Sequence, residues 1–210
     1  MTESKKKIRV LCIDDHPSVR DGLSAIINLQ PDMTVAGEAA TGREGLQQFR
    51  TLRPDVVLVD LRLPDMSGFE VIEQIRAQFI HARLIVLSSH EGDADIRRAL
   101  DAGALGYVVK GMAREELLDV IRTVHAGKRR LPAAVAQALA EHISDDILSP
   151  REIQVLNLVS AGKRNKEIAD ELSIAEDTVK MHVRNILSKL QASDRTEAVT
   201  IALRRGIIHL

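Results

Sequence analysis

The chain has 210 residues, 45% of them hydrophobic, 28% charged and only 2% aromatic, with one cysteine and a formal net charge of −1. That length allows one large domain or two small ones, and the composition is that of a folded chain, which excludes disordered and fibrous classes. A lone cysteine, Cys12, excludes an internal disulfide and a cysteine-rich metal site, so a reducing compartment, the cytoplasm, is the expected location.

The start, MTESKKKIRVLCIDDH, is basic, but its apolar stretch meets two aspartates too soon for a signal peptide. No apolar run approaches the ~20 residues that cross a bilayer. Short β-branched runs at 8–13, 34–38, 56–59, 84–87 and 105–109 alternate with helix-like stretches near 19–29, 43–52, 69–78, 94–102 and 115–125. Continuous apolar strands separated by helices predict a parallel sheet covered on both faces, a doubly wound α/β domain of five βα units.

After Gly127 the pattern changes. A basic cluster, Lys128, Arg129 and Arg130, leads into an alanine-rich stretch, and residues 127–147 read as a partly helical linker. Its composition fits a passive tether as well as an arm that lets the first domain cover the second. From residue 148 no strand pattern appears. Four helical segments are expected near 150–161, 165–172, 176–190 and 194–204. Ser149, with Pro150 and Glu152, has the form of an N-cap, and Gly162 and Gly206 suit C-terminal caps. The domains are therefore expected at 1–126 and 148–210. Residues 149–210 hold 10 Lys and Arg against 8 Asp and Glu, which leaves the rest of the chain at −3.

In open parallel sheets, ligands bind beyond the carboxyl ends of the strands. There the sequence places Asp14 and Asp15 after the first strand, Asp60 after the third, Ser88 after the fourth and Lys110 after the fifth. Carboxylates so close either hold a cation or have raised pKa values, and an oxygen-only set suits Mg²⁺. Asp60 then becomes a carboxylate nucleophile able to form an acyl phosphate, and Lys110 pairs with the phosphoryl group. Capping of the next helix is the plainer role for Asp14 and Asp15, but it leaves Asp60 and Lys110 unaccounted for.

These positions, with Val59-Asp60-Leu61-Arg62-Leu63-Pro64, Gly68, Leu87-Ser88 and Gly106-Tyr107-Val108-Val109-Lys110, resemble the receiver domain of two-component response regulators over roughly residues 8–126. The resemblance implies the strand order 2-1-3-4-5. It implies Asp60 as acceptor of a phosphoryl group from a sensor histidine kinase, and Mg²⁺ held by Asp14, Asp15, Asp60 and the Arg62 backbone carbonyl. Ser88 and Tyr107 would be the switch residues. Gly111 stands where many receivers have proline. An aspartyl-phosphate phosphatase fits less well, since Arg62 occupies the place of its general acid, so no enzyme activity beyond the receiver's own phosphorylation and dephosphorylation is expected.

Along 176–190, Val179, Val183, Ile186 and Leu190 form a buried stripe, and Asp177, Lys180, Met181, Arg184 and Ser188 an exposed row. A tight break joins this helix to the one before it, as in a helix-turn-helix whose second helix enters the major groove. Lys180 and Arg184 can reach guanine edges, Met181 a thymine methyl, and Lys166 and Lys189 phosphates. Among seven histidines no pair has the spacing of a metal site, and His182 is assigned to packing or to a phosphate.

Leu148-Ser149-Pro150-Arg151-Glu152, Asn165-Lys166-Glu167-Ile168-Ala169, Thr178-Val179-Lys180-Met181-His182-Val183 and Lys189-Leu190 resemble the LuxR-type helix-turn-helix. Joined to a receiver, this is the arrangement of the NarL/FixJ response regulators. That resemblance implies a phosphorylation-dependent transcription regulator of double-stranded DNA, with Thr178 among its DNA-facing residues and the 194–204 helix as a homodimer contact. Ala175 replaces a serine common in that family and removes a cap hydroxyl. The alternative is a DNA-binding regulator whose receiver answers to a protein or small-molecule partner.

Overall fold

The five apolar runs form one parallel sheet of β1 (Ile8–Ile13), β2 (Met33–Ala39), β3 (Val56–Asp60), β4 (Leu84–Ser88) and β5 (Gly106–Val109), in the order β2-β1-β3-β4-β5. The computed structural model describes residues 6–89, 92–141 and 148–209. Contacts divide the chain into two units, residues 1–89 with 96–136 and residues 90–95 with 137–210.

Alternation explains why the strands read as unbroken apolar runs. On one face Val10 and Cys12, Val56 and Leu58, and Ile85 and Leu87 meet Leu23 and Ile27 of α1 (Pro17–Asn28) and Leu118, Ile121 and Val124 of α5 (Arg114–His125). The opposite face, with Leu11, Ile13, Val57, Val59 and Val86, is equally buried. Here α2 (Gly42–Leu52) brings Gly45 against Ile13, and α3 (Gly68–Gln78) packs on β3. The fourth helix, α4 (Asp93–Ala102), buries Ile96 and Ala99. Edge strand β2 is only half-buried along Thr34–Glu38, which is why its pattern is the weakest. Cys12 lies within the sheet. Burial, followed by the nearby Glu38 and Asp14 charges, pushes its thiol up to about 12, so it is an inert packing residue.

Beyond α5 the chain stays with the sheet. The Arg130 N–H donates to the Leu105 carbonyl at 2.9 Å, and Arg130 pairs in parallel beside Gly106. The first unit accordingly runs to residue 136, ten residues past the expected boundary of 126. Within the expected linker, α6 (Ala133–Glu141) is helical, and residues 142–147 of that segment lie outside the described residues.

The second unit holds α7 (Pro150–Ser160), α8 (Asn165–Leu172), α9 (Glu176–Leu190) and α10 (Arg195–Arg204), around a core that includes Val155, Leu156, Ile168, Val179, Ile186 and Ala202. Ser149 and Glu152 form a reciprocal capping box on α7, and Asp194 accepts the Thr196 and Glu197 N–H groups at the start of α10. Gly162 and Gly206 take φ of +79° and +68°, as helix-terminating glycines do. The turn between α8 and α9 is three residues long. Ser173 closes α8 in the left-handed region, and Arg151 donates to the Leu172 carbonyl at 2.9 Å. Ala175 supplies no side-chain cap to α9.

Candidate functional site

Register decides what meets at the carboxyl edge of the sheet. Ile13 lies opposite Val59, Asp60 opposite Leu87, and Ser88 opposite Val109. Asp14, Asp60, Ser88 and Lys110 therefore arrive on one edge from four strands. The Lys110 ammonium stands 2.7 Å from Asp60 Oδ2 and 2.8 Å from Asp14 Oδ2, and the Lys110 backbone N–H donates to the Ser88 carbonyl at 2.7 Å. Asp14, Asp60 and Ser88 are 0%, 3% and 4% exposed. Burial raises the Asp60 pKa, and the Asp14 charge adds to it, against the opposing pull of Lys110 and the Arg62 N–H. Burial also works against the Lys110 ammonium, but its contacts with Asp14 and Asp60 outweigh it and hold the pKa above its ordinary value. Both directions have one geometry behind them: a single ammonium lies between two buried carboxyl groups.

The loop after β3 is pinned from several sides. The Arg62 N–H donates to Asp60 Oδ1 at 3.2 Å, Arg62 bridges Ser67, and the Gly68 N–H donates to the Leu61 carbonyl at 2.9 Å. Ser67 and Glu70 form the capping box that opens α3. Asp65 accepts the Gly42 and Arg43 N–H groups at 2.8 and 3.0 Å, tying the loop to the start of α2. A Cβ on Gly68 would stand 2.1 Å from the Asp60 carbonyl oxygen, so only glycine lets the helix start so close to the Asp60 backbone. Tyr107 is fully buried. Gly111 takes φ +92°, which the fixed φ of proline cannot reach, and there is no cis peptide bond among the described residues.

Asp14 and Asp15 do not cap α1: its N-cap is His16, with no side-chain cap, and the His16 N–H donates to Asp14 Oδ1 at 2.9 Å. Donor atoms of Asp14, Asp15, His16 and Asp60 lie within 4.8 Å of one another. Asp14 Oδ2 faces Lys110 at 2.8 Å and Asp15 Oδ1 faces His16 Nδ1 at 2.6 Å, and both oxygens are buried. Clustered carboxylate oxygens of this kind fit Mg²⁺. His16 was missed in the sequence, where histidines were weighed as pairs. Its signal there is its place directly after Asp14-Asp15.

In the second unit, α9 turns Val179, Ile186 and Leu190 inward and leaves Asp177, Lys180, Met181, Arg184 and Ser188 exposed, together with Asn185, which the sequence reading passed over. Met181 is 49% exposed, an unusual place for a large apolar side chain. Lys166 on α8 is exposed, and Thr178 and His182 are half-buried. Lys180 contacts Asp177 at 3.0 Å and Glu176 at 3.5 Å, and the Asp177 hydrogen bond is the chief cause of its raised pKa.

Lys189, expected at a phosphate, is paired within this unit. Its ammonium stands 2.9 Å from Glu152 Oε2, and the buried Glu152 also accepts the Ser149 N–H at 2.7 Å. Burial opposes the Glu152 charge, yet the Ser149 N–H and Lys189 hold its carboxyl below the ordinary 4.5. This carboxylate therefore contributes stability that is fully present above pH 4.5 and is lost as pH falls through its folded value. Lys189→Met should lower the stability of α7 and α9 by about 1–3 kcal/mol at pH 7. Amide hydrogen exchange in the two helices checks this, and the gap from wild type should narrow under acid. Equal protection at both pH values would show that Lys189 holds nothing.

The family model described as "Response regulator receiver domain" matches residues 10–122, and that described as "Bacterial regulatory proteins, luxR family" matches residues 146–202. The transcriptional regulatory protein LiaR of Bacillus subtilis is 40% identical over 210 residues, covering 96% of this chain and all of LiaR. The nitrate/nitrite response regulator NarL of Escherichia coli K12 is 38% identical, over 90% of this chain and 92% of NarL. Among solved structures, the two-component response regulator RcsB in its DNA complex matches with a TM-score of 0.72 and 25% identity, over 95% of this chain and 99% of that one.

Proposed function

The chain belongs to the NarL/FixJ response regulators, transcription regulators that join a receiver to a LuxR-type DNA-binding domain, and from that premise we propose that phosphorylation of Asp60 switches its dimerisation and sequence-specific DNA binding. The observation that carries this reading is the half-buried Lys110 ammonium shared between Asp60 and Asp14 at the sheet edge. A sensor kinase phosphohistidine is the donor. An Asp60 carboxylate oxygen bonds to phosphorus, the P–N bond breaks, and the imidazole leaves with that electron pair. Asp14, Asp15 and Asp60, with the Arg62 carbonyl, would hold Mg²⁺, which when bound offsets the charge of the phosphoryl group. Lys110 moves from neutralising two carboxylates to pairing with the phosphoryl oxygens. Ser88, at the end of β4, follows the phosphoryl group through its hydroxyl, and buried Tyr107 couples that movement to the outer face of β5. Acting in the cytoplasm, where kinase and DNA meet, the homodimer pairs through α10.

On the DNA side, Lys180, Met181 and Arg184 read base edges, with Thr178 and Lys166 on the backbone. Lys189 serves as an internal clasp instead. Lys180→Ala should weaken specific binding by about 1–3 kcal/mol and relax the choice at one base pair. Lys166→Ala should weaken binding to all sequences alike and lower the salt slope by about one. Titrations of selected and scrambled duplexes at several salt concentrations separate the two.

The test of the whole reading is oligomeric state and binding to genomic fragments, with and without a small-molecule phosphodonor and Mg²⁺. Tighter, dimeric, selective binding is expected on phosphorylation, and chelation of Mg²⁺ should prevent it. Equal binding with Asp60 modified and unmodified would hand control of the receiver to a protein or small-molecule partner.

A further inference from the structure

One side chain of the exposed α9 row has the wrong sign for a DNA-facing surface. Asp177 stands in line with Lys180, Met181 and Arg184 at helical spacing, its side chain is 92% exposed, and its charge repels phosphate. Stability does not require it there, since an ion pair this exposed contributes little to a fold. The helix dipole favours an acid in the first turn, but Glu176 already supplies one. The Asp177 carboxylate is instead set beside the cation of its own row: Asp177 Oδ1 accepts a hydrogen bond from Lys180 Nζ at 3.0 Å. Glu176 stands farther from Lys180, at 3.5 Å, and about 100° round the helix from Asp177.

An acceptor and a donor 3.0 Å apart match one feature of the major groove. On the edge of a G·C pair, guanine O6 accepts and cytosine N4 donates, and the two are bonded to each other at about 2.9 Å. A carboxylate over N4 and an ammonium over O6 can therefore engage both at once. An A·T pair offers a similar couple, adenine N6 and thymine O4, but with adverse neighbours: adenine N7 repels the carboxylate and the thymine methyl crowds the ammonium. On G·C the neighbours help, because guanine N7 is a second acceptor for the ammonium and cytosine carries no methyl. We propose that Asp177 is a base-reading residue, which together with Lys180 recognises a single C·G pair through the cytosine amino group. The inference rests on the reading of α9 as the helix that enters the major groove, and it gives the acid of that helix its role. At every other site the same carboxylate meets phosphate or base acceptors and lowers affinity, so it rejects as well as selects.

The full chain, treated with a small-molecule phosphodonor and Mg²⁺, is used to select sites from randomised duplexes, and the selected site should hold a fixed C·G pair. Each fixed cytosine is then replaced in turn by a pyrimidinone base that lacks the exocyclic amino group. At one position wild type should lose roughly ten-fold in affinity, whereas Asp177→Ala should bind the two duplexes alike. Asp177→Ala should also bind scrambled duplexes about two-fold tighter or more, because a repelling charge is gone. Glu176→Ala, which removes the other acid near Lys180, should keep the wild-type response to the missing amino group. An Asp177→Ala protein that still responds as wild type does would overturn the role of Asp177 and leave Lys180 and Arg184 as readers. If wild type is indifferent to the amino group at every cytosine, and Asp177→Ala is weaker on all duplexes by one factor, Asp177 is a positioning residue for Lys180 and the base contact is overturned. No selected site at all would overturn the reading of α9 as well.

Discussion

Asp60→Asn should take no phosphoryl label at all, from either a kinase or a small-molecule phosphodonor, while the fold stays intact. The carboxamide keeps the shape of the side chain and an oxygen for Lys110, which stands 2.7 Å from Asp60 Oδ2, but it is not a nucleophile that forms an acyl phosphate. Stability should hold or rise, because burial and Asp14 already disfavour the Asp60 charge. Removing it leaves Lys110 with Asp14 as its remaining carboxylate partner of the two. Intact-protein mass after incubation with the phosphodonor gives the first quantity and denaturant unfolding the second. Stoichiometric labelling of the folded variant would move the acceptor elsewhere.

Gly68→Ala should damage both the fold and the acceptor. The added Cβ would lie 2.1 Å from the Asp60 carbonyl oxygen and 2.9 Å from the Asp60 carbonyl carbon and the Leu61 Cα. All three are backbone atoms, so no flexible side chain can yield. Overpacking of this kind costs typically about 1–3 kcal/mol, and relief requires α3 or the end of β3 to move. Since the Arg62 N–H and Lys110 both aim at the Asp60 carboxylate, that movement should also slow labelling. Gly22→Ala is the control: nothing lies within 4 Å of a Cβ there, and mid-helix alanine should be neutral or stabilising by up to about 1 kcal/mol. Urea unfolding and labelling rates of both variants decide the matter, and a Gly68→Ala protein with wild-type values would refute the close approach.

The architecture was legible because its signals are local. β-branched runs buried on both faces, the Ser149-Pro150-Glu152 cap and the period of α9 each sit within a few residues of chain, and the strand-end rule brings Asp14, Asp60 and Lys110 to one edge from sequence alone. What escaped depends on pairs far apart. Glu152 and Lys189 are separated by 37 residues, and neither carries a mark that tells a buried ion pair from a solvated charge. Arg130 joins the sheet edge through its backbone, which no side-chain pattern announces. The imidazole of His16 is a matter of rotamer and loop course. Lys180 was legible as an exposed cation, whereas its ties to Asp177 and Glu176 come from side-chain direction on the first turn of α9.

Assembly of the acidic edge from four strands also sets a clock on the ribosome. Fifty residues of chain separate Asp60 from Lys110, and at roughly 5–20 residues per second the acceptor is made about 3–10 seconds before the amine that serves it. Until β5 docks, Asp60 has no Lys110 ammonium beside it. The paired edge therefore exists only in molecules whose first domain is complete.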